Sequence, residues 1–218
     1  MKYTRRNRRK EVDLSNESIV LDIDGVVANF ISHFRRYAVL IGEDLGFDHW
    51  THLRTYQAQE NNEAVWQKTS QVLHSSMEAM MLFYSTMPEH DDVNITFPVS
   101  AYVTSRQETL QNVTQDWINE SSFPDAPVIC VGPEEKLPTL RRIEATVFVD
   151  DKPENIKALV SSDDIMPFLL KRPWNMQEHL QSIDPQNMAV FPEIIEGKRI
   201  EERLRSRVLS KKSSSSFI

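Results

Sequence analysis

The sequence predicts an α/β fold built on a parallel sheet, and three observations predict it. Short apolar, β-branched runs recur along the chain, and each stops at a polar residue. Helical patterns alternate with these runs, the arrangement that produces a parallel sheet. One long stretch, from about residue 30 to 93, has no strand pattern and reads as an all-helical insert.

The first run is Ser18-Ile19-Val20-Leu21-Asp22, near-continuous in apolar residues as a strand buried on both faces must be. Gly25 lets the chain turn immediately after it. Residues 28–42 carry Phe30, Phe34, Tyr37 and Ile41 at helix spacing, with Gly42 as a stop. Residues 62–84 predict a second long helical region with an apolar stripe that includes Trp66, Leu73 and Met80. Residues 99–103 read as a second strand delivering Thr104-Ser105-Arg106, and 107–119 as a helix. Pro127–Val131 is a third strand and 146–149 a fourth, which delivers Asp150-Asp151. A helix headed by Pro153 follows. Residues 165–170 make a fifth strand, placed at a sheet edge because Pro167 interrupts it.

The predicted organisation is a basic, flexible arm over 1–17, a core over 18–30 and 96–195, a helical cap over 31–95, and a charged helix with a disordered Lys/Ser tail over 196–218.

Composition narrows the function classes. Among 218 residues, 40% are hydrophobic, enough for a sizeable core. The formal charge of −7 makes nucleic acid an unexpected partner, since such binders carry a basic face. It leaves room for a small phosphorylated substrate, which needs a single cationic pocket. The chain has one cysteine, Cys130, so no intrachain disulfide can form, and a reducing, cytoplasmic location is expected. No apolar run approaches the ~20 residues that span a bilayer, so no membrane partner is expected. Oligomeric state is not legible, and a dimer is compatible with the chain.

The chemistry-bearing residues gather at strand ends, where open parallel sheets bind their ligands. They are Asp22 and Asp24, then Thr104, Ser105 and Arg106, then Lys136 after the third strand, and Asp150 and Asp151 after the fourth. Carboxylates this close cannot all stay ionised without a cation. Mg²⁺ is the economical choice, because it accepts one or two carboxylates and leaves positions for water and a substrate phosphate. Lys136 and the Thr104 and Ser105 hydroxyls would hold other phosphate oxygens, and phosphoryl transfer needs such positioning and charge stabilisation above all. Structural readings stand beside these. Asp150 and Asp151 could cap the helix at Pro153, Asp-X-Asp-Gly also occurs in surface turns, and a loop lysine is usually a solvated charge.

In order and context, Asp22-Ile23-Asp24-Gly25, Thr104-Ser105-Arg106, Lys136 and Asp150-Asp151 resemble the four motifs of the haloacid dehalogenase (HAD) superfamily of phosphatases. Three further stretches resemble its 5′-nucleotidase group, which includes the 5′(3′)-deoxyribonucleotidases. They are Trp117-Ile118-Asn119-Glu120 with Phe123-Pro124, Val149–Asn155, and Lys171-Arg172-Pro173-Trp174-Asn175. The resemblance implies a Rossmann-like core with a small helical cap inserted after the first strand. It implies a hydrolase of phosphate monoesters, most readily (deoxy)nucleoside 5′-monophosphates, dependent on Mg²⁺. Asp22 would be the nucleophile that forms an aspartyl-phosphate, and Asp24 the general acid and base. Asp22, the Asp24 backbone carbonyl and Asp150 would bind the metal, with Asp151 a ligand through water or an orienting neighbour. Thr104, Ser105 and Lys136 would bind the phosphoryl group, and Arg106 would face the leaving group. Phe30 and Trp50 are candidates to stack on a base, alongside Trp66, although aromatics at helix spacing are more often core. Rival readings are a phosphatase for a sugar phosphate, another metabolite or a nucleic-acid end, and a non-catalytic binding protein on the same fold.

Overall fold

The computed structural model describes residues 13–43, 60–160, 164–175 and 193–215. Six strands form one sheet: β1 (Ile19–Leu21), β2 (Ala101–Thr104), β3 (Val128–Cys130), β4 (Val147–Asp150), β5 (Met166–Leu170) and β6 (Glu193–Ile195). Every pairing is parallel, and the spatial order is β3-β2-β1-β4-β5-β6, a Rossmann-like order. The order reverses at β1, which lies between β2 and β4. That puts the residue after β1 at the topological switch point, the usual place for a ligand crevice.

The described helices are α1 (Phe30–Leu40), α2 (Glu60–Leu73), α3 (Met77–Ser85), α4 (Gln111–Glu120), α5 (Lys136–Arg142), α6 (Pro153–Val160) and α7 (Ile200–Ser215). Alternate strand residues feed two apolar layers. Val20, Val103, Phe148 and Leu169 pack with Leu140 of α5 and Ile156 and Leu159 of α6. Leu21, Tyr102, Val149 and Phe168 share the other layer with Ile118 of α4 and Leu204 and Val208 of α7. A sheet covered on both faces requires apolar side chains at successive positions, which is why the runs lack alternation.

Three sequence expectations change. The region 62–84 is two helices rather than one. Ser75 Oγ donates to the Val72 carbonyl, and Ser76 Oγ accepts from the Ala79 N–H, so adjacent serines end one helix and cap the next. Strand β5 is not an edge, because it pairs with both β4 and β6. Pro167 is tolerated because its missing N–H falls on the β6 side, one residue before that ladder begins at Phe168. Strand β6 was not foreseen, and α7 continues to Ser215, into the Lys/Ser stretch expected to be disordered.

Among the described residues no strand lies between β1 and β2, and the helices described there are α1, α2 and α3. Asn29 caps α1 by accepting from the Ser32 N–H. The two ends of the interval are joined by backbone bonds, Asn29 N to Pro88 O at 2.8 Å and His90 N to Val27 O at 2.8 Å. These bonds hold the end of α3 beside the turn that follows β1. Among the described residues, no helix is long and apolar enough to cross a membrane.

Candidate active site

Asp22 follows β1 directly, and its N–H is bound to the Val149 carbonyl at 2.9 Å, so the backbone ladder sets its position beside β4. The chain then turns at Gly25, whose φ of +82° suits glycine. A Cβ at Gly25 would lie 2.3 Å from Asp151 Oδ2, so only glycine lets this turn approach the Asp151 carboxylate.

Asp22, Asp150 and Asp151 are all buried, and a ligand oxygen from each lies within 4.8 Å of the others. Lys136 is buried among them. Its Nζ donates to Asp150 Oδ2 at 2.8 Å and lies 3.1 Å from Asp22 Oδ1. It opens α5, and Pro133 and Pro138 flank it in and just before the first helical turn, where a missing N–H costs little. Burial would favour loss of the Lys136 proton, but the charges of Asp150 and Asp22 outweigh it and hold the ammonium charged.

The electrostatics of this cluster fit a divalent cation. Burial raises the Asp22 carboxyl above the ordinary carboxylate range; Lys136 opposes the shift and Asp150 adds to it. Asp151 is also raised, by burial first and then by the charges of Asp150 and Asp22. Asp151 Oδ1 is buried and has no hydrogen-bond partner, while Asp22 Oδ1 has the Lys136 ammonium at 3.1 Å. Three buried carboxylates sharing one buried ammonium are costly without a further cation, and an all-oxygen donor set suits a hard ion such as Mg²⁺. Asp150 differs from its neighbours. Its Oδ1 accepts from the Lys152 N–H, and its Oδ2 accepts from Lys136 and from Asn155 Nδ2. Its oxygens are therefore occupied in orienting Lys136 and the loop, whereas Asp151 keeps one oxygen available.

Asp24 turns away from that trio. Arg106 grips it with two bonds, Nε to Oδ2 at 3.0 Å and Nη2 to Oδ1 at 2.6 Å. Arg106 is buried, donates also to Thr114 Oγ1, and stacks over the Tyr84 ring at 4.5 Å. Arg106, expected from the sequence to face a leaving group, has its guanidinium engaged with Asp24.

A cavity of about 380 Å³ opens over this floor, within the range of small-molecule sites. Asp22, Asp24, Thr104, Ser105 and Arg106 line its polar part. Phe30, Ile31, Trp66 and Tyr84, from the helices between β1 and β2, contribute its apolar lining. Phe30 stacks on Phe34 at 5.6 Å, and Phe34 meets Trp66 at 4.2 Å, so this lining is backed by an aromatic cluster. Lys136 lies below the lining. Trp50, along with Phe47 and His49, lies outside the described residues.

Sequence reasoning assigned no site role to Tyr84, Asn155, Arg172, Trp174 or Asn175. Arg172 is buried; its Nε donates to the Gly25 carbonyl at 2.6 Å, and its Nη2 to that of Val26 at 3.1 Å. Its Nη1 grips the Asp92 carboxylate at 2.9 and 2.7 Å. Trp174 donates to Asp151 at 2.6 Å. The available signal for Asn155, Arg172, Trp174 and Asn175 was their place in the family-like stretches Val149–Asn155 and Lys171–Asn175, whereas Tyr84 carried none.

Comparison with known proteins gives partial likenesses. No protein-family profile matches the chain. A curated protein of Halalkalibacterium halodurans, named a "putative nucleotidase", is 28% identical over 74 residues, which is 34% of this chain. The chain spans 38% of that relative's length. A solved HAD-superfamily hydrolase of subfamily IA, variant 1, from Geobacter sulfurreducens is similar at 13% identity and a TM-score of 0.41. That likeness covers 75% of this chain and 96% of the other.

Proposed function

We propose that the chain is a Mg²⁺-dependent phosphomonoester hydrolase of the haloacid dehalogenase type, acting on (deoxy)nucleoside 5′-monophosphates. The observation that carries this reading is the buried trio Asp22, Asp150 and Asp151 with Lys136 among them, beside a cavity with aromatic side chains in its lining. Asp22 and Asp151 would hold the cation, with the Asp24 backbone carbonyl; bound there, it would neutralise phosphate charge. Asp150 is better suited to orienting Lys136 than to direct ligation, because its oxygens already accept three hydrogen bonds.

In the first step an Asp22 carboxylate oxygen attacks phosphorus, forming one P–O bond as the bond to the leaving oxygen breaks. Asp24 gives its proton to that oxygen. Water then attacks the phosphorylated Asp22, Asp24 takes the water's proton, and the Asp22–phosphate bond breaks. Arg106 holds both carboxylate oxygens of Asp24, and their pair must open for Asp24 to reach the leaving oxygen in the first step. Lys136 lies 3.1 Å from Asp22 and would stabilise the transferring group from below. Thr104 and Ser105 line the phosphate side of the cavity, and Phe30 and Trp66 supply faces for a base. The helices from α1 to α3 are read as a cap that excludes water over the site.

The test is phosphate release with Mg²⁺ from a panel of nucleoside 5′- and 3′-monophosphates, sugar phosphates and 5′-phosphorylated oligonucleotides. Preference for nucleoside monophosphates, abolished in Asp22→Asn, is expected. Preference for sugar phosphates would overturn the substrate; equal turnover by Asp22→Asn would overturn the nucleophile.

A further inference from the structure

The segment that follows β5 reaches the loops that carry the candidate site. Asn175 Nδ2 donates to the Asp151 carbonyl at 2.9 Å and to the Leu170 carbonyl at 2.8 Å. Asn175 Oδ1 accepts from the Arg172 N–H at 2.9 Å, closing a tight turn over 172–175. Within that turn Trp174 points its indole N–H at Asp151 Oδ2, at 2.6 Å. Asp151 is thus held at its backbone by Asn175 and at one carboxylate oxygen by Trp174, and the bare Cα of Gly25 closes the remaining side.

An indole has one donor and no acceptor. It can occupy a single oxygen of the carboxylate, and it leaves the other without a partner. That other oxygen, Asp151 Oδ1, is buried and unsatisfied, and it shares the cluster with Asp22. We infer that Trp174 is a positioning residue for the cation: it fixes Asp151 Oδ2 so that Oδ1 is the atom offered as ligand. The inference rests on the proposed reading that a divalent ion occupies the Asp22–Asp151 cluster. A hydrogen-bonded partner behind a metal ligand is typically worth about 10–100-fold in affinity.

Trp174 also lines the cavity, so its ring could instead contact substrate. The two roles separate by measurement. Binding of Mn²⁺ to the full chain is followed by the loss of its free-ion paramagnetic resonance signal, for wild type, Trp174→Phe, Trp174→His and Asp151→Asn. Phosphate release is measured in parallel at saturating Mn²⁺, and melting temperature without metal serves as a folding control. Trp174→Phe is expected to weaken Mn²⁺ by about 10–100-fold. Its substrate KM at saturating metal should stay within about twofold. Trp174→His, which keeps a ring N–H, should recover part of the loss, and it carries the test if the phenylalanine variant does not fold. Unchanged Mn²⁺ affinity in Trp174→Phe, or a raised KM with unchanged Mn²⁺ affinity, overturns the inference while the cation reading stands. Failure of the wild type to bind Mn²⁺ overturns the cation reading and this inference with it.

Discussion

Replacing Lys136 by methionine tests the electrostatic core of the site, because the residue is a buried cation between two buried carboxylates. Its Nζ lies 2.8 Å from Asp150 and 3.1 Å from Asp22. Methionine nearly fills the same volume and removes the charge, leaving the carboxylates with no compensation from this side. Breaking a buried pair at one partner costs about 3–5 kcal/mol. For a chain of this size that lowers the melting temperature by roughly 6–20 °C, at about 2–4 °C per kcal/mol. The loss should be largest in EDTA and shrink with added Mg²⁺, since a bound cation stabilises the folded chain and relieves the same repulsion. Turnover should fall by about 10²–10³-fold even with metal, as for other lost donors to a developing charge. The double variant Lys136→Met, Asp150→Asn removes both partners, so it should regain part of the stability but none of the activity. The assay is thermal unfolding with and without Mg²⁺, with phosphate release alongside. A melting temperature in EDTA within about 2 °C of wild type would refute the buried-charge argument, as would a double variant no more stable than the single one.

Three further outcomes follow from the geometry. Gly25→Ala should destabilise by about 1–3 kcal/mol and displace Asp151, because its φ is positive and its Cβ would meet the Asp151 carboxylate; denaturant unfolding together with Mn²⁺ binding would show both effects, and wild-type values for both would contradict them. Arg172→Met should cost about 1–3 kcal/mol, since the Gly25 and Val26 carbonyls lose a buried donor while the half-exposed Asp92 can be solvated; chemical denaturation of the purified variant is the check. His90 is held neutral by burial, with Arg172 adding to that effect, and its pKa is lowered to about 4. The unfolded chain takes up a proton at His90 below about 6.5 and the folded chain only near 4, so its contribution is intact above pH 6.5 and is lost as pH falls toward 4. The loss is of order 3 kcal/mol at most. His90→Asn should therefore show a shallower fall of stability between pH 6.5 and 4 than wild type, and parallel curves would count against the assignment.

Local sequence determined the strands β1 to β5 and the residues at their ends. A strand buried on both faces admits few polar residues, so Ile19–Leu21 and Val147–Val149 are conspicuous, and the carboxylates that stop them stand out. Asp22, Thr104 and Asp150 needed only the chain's own order to be found. Strand β6, Glu193–Ile195, opens on a charged residue directly after Pro192 and so showed no continuous apolar run, and the Ser75-Ser76 break in the helical region 62–84 carried no glycine or proline. Pro167 misdirected the placement of β5, because the consequence of a missing N–H depends on which neighbour it faces, and that is a property of the sheet.

Only tertiary structure decided how the site residues are paired. Nothing in the sequence could tell that Arg106 turns to Asp24, that Asp150 is absorbed by Lys136 and Asn155, or that Asp151 keeps a bare oxygen. Periodicity reports which face of an element is buried; it does not report which of several nearby polar groups shares a hydrogen bond. Those choices depend on distances of a few ångströms between strand ends far apart in the chain. Asp22 and Asp24 were legible as a pair after a strand. Folding separates them, with Asp22 buried beside Lys136 and Asp24 drawn to Arg106 at the cavity wall, because Asp22 finds its countercharge at the start of α5 and Asp24 finds its own just after β2.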